Sequence, residues 1–293
     1  MNLDSDLKLL RRSIDAKLAS ILPKDSPIAE PMLEAMRYAV LGGGKRIRPL
    51  LTCTVCSALD GKLEEALLPG CAIELMHAYS LIHDDLPAMD DDDLRRGKPT
   101  VHKAYDEATA ILVGDGLQAL AFEWIVDTPD LTPLQQVQLV KLLSKSVGFD
   151  GMVGGQAMDI AAEGQSLAPV ELAQVHARKT GALIEASVVA GAICANATDA
   201  QQVSLRIFAE RIGLAFQVMD DVLDVTATSE ELGKTAGKDI DAEKSTYVAS
   251  MGIEGARDYA ETLLSEAIDA LNEFGDAASE LRQLSRLMVH RSF

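Results

Sequence analysis

Aromatic residues make up only 4 % of this 293-residue chain, which holds one tryptophan and four cysteines. Cys53, Cys56, Cys71 and Cys194 are too few to frame a disulfide-stapled fold, and free thiols suit a reducing compartment. Cys53 and Cys56 form a CxxC, but no second pair and no neighbouring histidine completes a zinc set, so they read as small apolar helix residues. Basic residues are also scarce: 27 Lys and Arg stand against 45 Asp and Glu, a net charge of −18. Such a chain is expected to avoid nucleic acid and anionic membrane surfaces wherever its bases are not locally concentrated. No apolar run approaches the ~18 residues that a membrane span needs; the longest, near Ala186 to Ala195, is about half that. The N-terminus, MNLDSDLKLLRRSIDAKL, is amphipathic and lacks the apolar core of a signal peptide, so a cytoplasmic protein without a membrane span is expected.

Alternating β-branched stretches are nearly absent too, and what fills the chain instead is helical spacing. Apolar residues recur three and four apart in LEEALLPGCAIELMHAYSLI and VSLRIFAERIGLAFQVMDDVLDV. Breaks fall at Pro23 to Pro27, Gly42 to Gly44, Asp127 to Pro133, Gly148 to Gly155, Gly164 to Pro169 and Thr226 to Gly237, which separates about ten helices. With no Pro-, Gly- or Ser-rich linker and no fixed-period repeat, the expectation is one all-α domain over residues 1–293.

Two acidic clusters carry the chemistry. In AFQVMDDVLDV, Gln217, Asp220, Asp221 and Asp224 fall at i, i+3, i+4 and i+7, one stripe on a helix that is otherwise apolar. Unpaired carboxylates in a dry interior cost several kcal/mol each, so the stripe must face a cation, a cavity or both; an internal salt-bridge network is the alternative. Oxygen ligands with room for water suit Mg²⁺, which commonly binds a few carboxylates together with substrate phosphates.

The other cluster, LIHDDLPAMDDDDLRRGKPT, places six aspartates between Asp84 and Asp93. His77, Ser80 and Asp84 share a helical face, whereas Asp84 and Asp90 would point apart on a straight helix. Pro87 disfavours helix at Leu86, so the chain is expected to end its helix there and swing Asp90 back toward Asp84, with Asp91 to Asp93 facing solvent. Cationic groups lie beside glycines in GGGKRIRP, LRRGK, ARKTG and GKTAGKDIDAEK, suggesting a phosphate site; none makes a P-loop, because the glycine needed at position 228 is Thr228.

These segments, in this order, resemble the all-trans polyprenyl diphosphate synthases, most closely the bacterial-type farnesyl diphosphate synthases. GGKRIRP, ELMHAYSLIHDDLPAMDDDDLRRGKPT, LVGDGLQALAFE, GGQAMDI, KTGALI, FQVMDDVLD and GKTAGKD with a downstream Lys244 span essentially the whole chain. The resemblance implies the isoprenoid synthase fold, a helical bundle around a central cavity, and a homodimer. It implies Mg²⁺, with Mn²⁺ as a substitute and three ions per active site, held by Asp84, Asp90 and Asp220 with support from Asp85, Asp224 or Asp239. The substrates would be isopentenyl diphosphate and an allylic diphosphate, dimethylallyl and then geranyl, giving farnesyl diphosphate. Arg95, Lys179, Lys234 and Lys244 would hold the allylic diphosphate, and Lys45, Arg48, His77 and Arg96 the isopentenyl diphosphate. The Thr180 hydroxyl, the Lys179 carbonyl and Gln217 would stabilise the allylic cation through their dipoles.

His83 reads as structural, and a role for Arg291 at the short C-terminus, HRSF, is open. Product length is open as well, with geranylgeranyl or geranyl diphosphate as alternatives. Tyr79 and Ser80 lie roughly 6 to 7.5 Å deeper along the helix than Asp84, so the Tyr79 ring is either the floor for a growing prenyl tail or ordinary core. A class I terpene cyclase or a catalytically silent partner subunit would share the fold; Lys45, Arg48 and two intact aspartate motifs argue against both.

Overall fold

The computed structural model describes residues 3–290 except 28, 163, 165–166 and 228–245, and these are helical almost throughout. The helices are α1 (Leu3–Ile21), α2 (Glu30–Leu41), α3 (Ile47–Ala58), α4 (Leu63–Asp84), α5 (Val101–Ala104), α6 (Glu107–Val126), α7 (Pro133–Val147), α8 (Met152–Ala161), α9 (Pro169–His176), α10 (Ala182–Cys194), α11 (Asp199–Thr226), α12 (Tyr247–Asp269) and α13 (Ser279–His290). A π-helical turn, Ala177–Gly181, joins α9 to α10. Among the described residues the strands are two short ones, β1 (Leu94–Arg95) and β2 (Lys98–Pro99), paired antiparallel.

Local chemistry sets the helix starts. Thr132 and Gln135 close a capping box around Pro133 at the head of α7, and Thr198 with Gln201 does the same for α11. Between α10 and α11 the chain turns at Ala195–Ala197 without a proline or glycine, so that break is not visible as punctuation. The glycine-rich break expected at Gly148 to Gly155 is shorter than expected, because α8 begins at Met152 and takes Gly154 and Gly155 into its first turns.

Helix α10 is apolar on nearly every side and runs through the centre, packed on α3, α4, α7 and α11. Fully buried Leu75, Met76, Leu117, Leu183 and Phe208 belong to one contiguous core. All four cysteines are buried in it, and burial pushes the Cys56 and Cys71 thiols up to about 12. By length and composition helix α6 could cross a membrane, although Asp115 and Gln118 interrupt its apolar run. It packs on α4 and buries Val113, Leu117, Ala121 and Ile125.

Candidate active site

The ends of α3, α4, α8, α9 and α11 surround a cavity of about 1650 Å³. Helix α4 stops at Asp84, ahead of Pro87, and the chain doubles back so that the Asp90 N–H donates to the Asp84 carbonyl at 2.9 Å. Asp84 and Asp90 both line the cavity. Burial, reinforced by Asp90 and opposed by Lys179, raises the Asp84 carboxyl to about 6.

Asp85 turns the other way. It is 3 % exposed, lies outside the cavity wall, and accepts from Arg95 Nη2 at 2.5 Å and Nε at 3.0 Å. The Asp85 carboxylate is thus held in a fork by a guanidinium at the back of the cavity wall. Arg95 does reach the cavity, but as the partner of Asp85 and of Asp92, 3.3 Å away. Asp92 corrects an expectation: it is buried rather than solvent-facing, because its carboxylate pairs with Arg95 and its carbonyl accepts from Thr100 Oγ1 at 2.8 Å. Asp93 is exposed and pairs with Lys103.

Opposite, α11 turns its whole acidic stripe inward, with Gln217, Asp220, Asp221 and Asp224 all in the cavity wall. Asp221 and Asp224 are buried, and Asp221 accepts from Gln217 Nε2 at 3.2 Å and from the Tyr247 N–H at 2.8 Å. The Gln217 carbonyl in turn accepts from the Thr180 hydroxyl at 3.0 Å. Thr180 sits in the π-helical turn, a wide turn that often marks functional sites, and this one brings Lys179 and Thr180 to the cavity while Arg178 reaches back to the Gln174 carbonyl. Lys179 Nζ lies 2.5 Å from Asp159 Oδ2 on α8. Gly155 makes that approach feasible, because a Cβ there would lie 2.3 Å from the Lys179 backbone nitrogen.

The third wall is cationic. Gly44 has φ 132° and packs against the Arg96 guanidinium, where a Cβ would lie 2.8 Å from Cζ, while Arg96 donates to the Gly43 carbonyl. Arg96 and Gly97 both have positive φ, the pattern of a type I′ turn, and they close the hairpin that delivers Arg95 and Arg96. Lys45, Arg48 and His77 line the same wall. Burial lowers the Arg48 guanidinium to about 10, against the pull of Glu74 and Asp220. Burial also drives the His77 imidazole well below its ordinary value, assisted by Arg48, Arg96, Arg95 and Arg46, so His77 is neutral at pH 7.

Arg46 is buried at the edge of the cavity with its guanidinium fully engaged: Nε lies 2.8 Å from Asp15, Nη1 2.9 Å from Glu74, and Nη2 donates to the Val40 carbonyl at 2.8 Å. With φ 55° it starts α3 from a left-handed conformation, and its three bonds hold the loop that carries Lys45 and Arg48.

Tyr79 and Ser80 both line the cavity below Asp84; Tyr79 is 4 % exposed and sits edge-on to His83, 5.7 Å between ring centres. His83 Nε2 lies 3.1 Å from the Ile111 carbonyl and fills the space left by Gly114. Lys234, Asp239, Lys244 and Arg291 lie outside the described residues. Glu74, Gln156 and Asp159 also line the cavity without belonging to the acidic or cationic clusters; the spacing of Gln156 and Asp159, i and i+3 in GGQAMDI, is the one sequence signal for them. Gln156 is a cavity residue whose amide nitrogen and oxygen are both buried without a hydrogen-bond partner.

Among the described residues, no three His, Cys, Asp or Glu side chains converge closely enough to hold an ion unaided. Asp84, Asp90, Asp220 and Asp224 nevertheless all bring carboxylate oxygens to one cavity. Such a set fits a hard divalent cation whose remaining ligands are water and phosphate oxygens.

Comparison with known proteins agrees with this geometry. A profile of the polyprenyl synthetase family matches residues 29–286. A chloroplastic geranylgeranyl pyrophosphate synthase of Capsicum annuum is 51 % identical over 261 residues, covering 88 % of this chain and 71 % of its own. A farnesyl diphosphate synthase of Micrococcus luteus is 44 % identical over 93 % of this chain and 94 % of its own. Among solved structures, a geranyltransferase of Helicobacter pylori, complexed with magnesium and isoprenyl diphosphate, superposes with a TM-score of 0.88 at 35 % identity, covering 99 % of this chain and 97 % of its own.

Proposed function

This chain belongs to the polyprenyl synthetase family and is a prenyltransferase, and we propose that it condenses isopentenyl diphosphate with dimethylallyl and then geranyl diphosphate to give farnesyl diphosphate. The observation that carries this reading is one cavity with carboxylates on two facing walls, Asp84 and Asp90 against Asp220 and Asp224, and a cationic wall from Lys45, Arg48 and Arg96 beside them. Two polyanions of different chemistry need two such environments.

Asp84, Asp90 and Asp220, with support from Asp224, would hold Mg²⁺ or its substitute Mn²⁺, which would supply positive charge to neutralise the diphosphate leaving group. Three ions per site is the number that the resemblance implies. Lys179 adds fixed positive charge on the allylic side, with Arg95 behind it as the counter-ion of Asp85 and Asp92. Lys45, Arg48, Arg96 and His77 hold the isopentenyl diphosphate, His77 as a hydrogen-bond donor. Thr180, the Lys179 carbonyl and Gln217 turn oxygen dipoles toward the carbon that becomes positive as its C–O bond breaks. The isopentenyl double bond then forms the new C–C bond, and the departing diphosphate takes up the proton that is released.

Tyr79 supports the fifteen-carbon product, because it stands buried below Asp84, braced by His83. The geranylgeranyl alternative is favoured by the 51 % identity to the Capsicum enzyme. A single domain over residues 1–293, a homodimer and a cytoplasmic location complete the reading. Diphosphate release from dimethylallyl diphosphate, with and without isopentenyl diphosphate, tests it. A terpene cyclase would release diphosphate from a prenyl substrate alone, and a silent subunit would release none. Chromatography of the products decides their length.

A further inference from the structure

Asp221 is the middle carboxylate of the α11 stripe, 3 % exposed, and each of its oxygens already accepts a protein N–H: Oδ1 from Gln217 Nε2 at 3.2 Å, Oδ2 from the Tyr247 backbone at 2.8 Å. We infer that Asp221 is a positioning residue, which fixes the Gln217 amide and through it the Thr180 hydroxyl, and that it does not serve as a metal ligand; the inference rests on the prenyltransferase reading above.

A carboxylate has no proton to give, so only the nitrogen end of the Gln217 amide can face it. The oxygen end must then face Thr180, whose hydroxyl donates to it at 3.0 Å. Thr180 has one proton, and this bond commits it. What Thr180 can offer the cavity is therefore a lone pair, the group that stabilises a developing carbocation. If the Gln217 amide turned over, its oxygen would meet the Asp221 carboxylate and its nitrogen would donate to Thr180. The freed hydroxyl proton would then be able to point at the cation, which is the wrong polarity. The chain of bonds runs across three parts of the fold: the π-helical turn, α11 and the start of α12. Tyr247 is itself braced, stacked on His176 at 5.7 Å between ring centres, in the residue before the π-helical turn. Asp220, the neighbouring carboxylate, also lines the cavity.

The test compares Asp221→Asn with Asp220→Asn in the full chain. Asp221→Asn replaces one acceptor oxygen by a donor, which releases the polarity of the relay. It should lower kcat by about 10- to 100-fold while leaving KM for both diphosphates within about twofold. Binding of Mn²⁺ with inorganic diphosphate, read by electron paramagnetic resonance, should stay within about twofold for Asp221→Asn and weaken by at least about tenfold for Asp220→Asn. In a Gln217→Ala background, Asp221→Asn should add no more than about a further twofold loss, because the group it orients is gone. Equal weakening of Mn²⁺ binding by the two aspartate variants would overturn the inference, as would a kcat loss that multiplies in the Gln217→Ala background. If Asp221→Asn does not fold, because it also disturbs the Tyr247 bond, Asp221→Glu carries the test, since it keeps both acceptor oxygens but displaces the Gln217 amide. A kcat loss of at least about tenfold with Mn²⁺ binding within about twofold of wild type would support the inference, and an unchanged kcat or a tenfold weakening of Mn²⁺ binding would overturn it. A wild-type chain that made no prenyl product would instead remove the reading of the reaction on which the inference rests.

Discussion

The Asp90 backbone N–H donates to the Asp84 carbonyl at 2.9 Å, so two carboxylates that a straight helix would point apart stand at one cavity wall. Asp84→Ala and Asp220→Ala are each expected to lower turnover at least ~100-fold, at ~1.4 kcal/mol of transition-state stabilisation per tenfold. Activity should disappear in excess chelator and return with Mg²⁺ or Mn²⁺. Full turnover in chelator would refute the metal-bridged arrangement.

The basic residues should separate by kinetic signature. Lys45→Ala or Arg48→Ala is expected to raise KM for isopentenyl diphosphate far more than for the allylic substrate. Lys179→Ala should chiefly lower kcat, because its attraction strengthens as cation and diphosphate separate. Steady-state kinetics with each substrate varied in turn checks this, and one common defect in all three variants would refute the division into two pockets.

Tyr79 sets a product-length experiment. Tyr79→Ala should extend the product by at least one five-carbon unit, at a stability cost of a few kcal/mol for the cavity it opens. Chromatography of products from both proteins checks it. A folded, active Tyr79→Ala enzyme that still stops at farnesyl diphosphate would show that Tyr79 is packing and not the floor.

Asp84 should also trade stability for function. Its carboxyl is raised to about 6, so between that value and the ordinary aspartate range the folded chain holds a proton that the unfolded chain gives up. Ionised Asp84 therefore penalises the metal-free fold above pH 6, and the penalty is relieved as pH falls. Asp84→Asn is expected to raise Tm by a few degrees in chelator at pH 8, on the order of 1–3 kcal/mol, with the gain shrinking toward pH 4. Thermal unfolding of the two proteins across that range checks it, and an unchanged or lowered Tm at pH 8 would contradict the assigned shift.

Legibility in the sequence followed how locally each feature is determined. The stripe from Gln217 to Asp224 could be read because helical periodicity alone aligns it, and Pro87 announced the end of α4. Asp85 could not be read, since its partner Arg95 arrives ten residues later through a hairpin whose turn, Arg96–Gly97, owes its shape to backbone conformation. Asp92 looked like solvated charge for the same reason. The pairing of Lys179 with Asp159 depends on Gly155 letting two helices touch, which no spacing within either segment reveals.

The π-helical turn Ala177–Gly181 has a consequence for how this site can change. A turn of that kind holds one residue more than an α-helical turn, so it is a difference of length and not of side-chain type. Substitutions at Lys179 or Thr180 alter what is presented to the cavity, but they leave the presentation itself intact. Only losing a residue from the chain would restore the ordinary winding, and it would leave the flanking helices in phase while withdrawing the widened turn that brings Lys179 and Thr180 to the cavity. Intermediate geometries are not accessible. The cation-facing groups are thus inherited together or lost together, which makes this short stretch resistant to gradual drift and vulnerable to a single deletion.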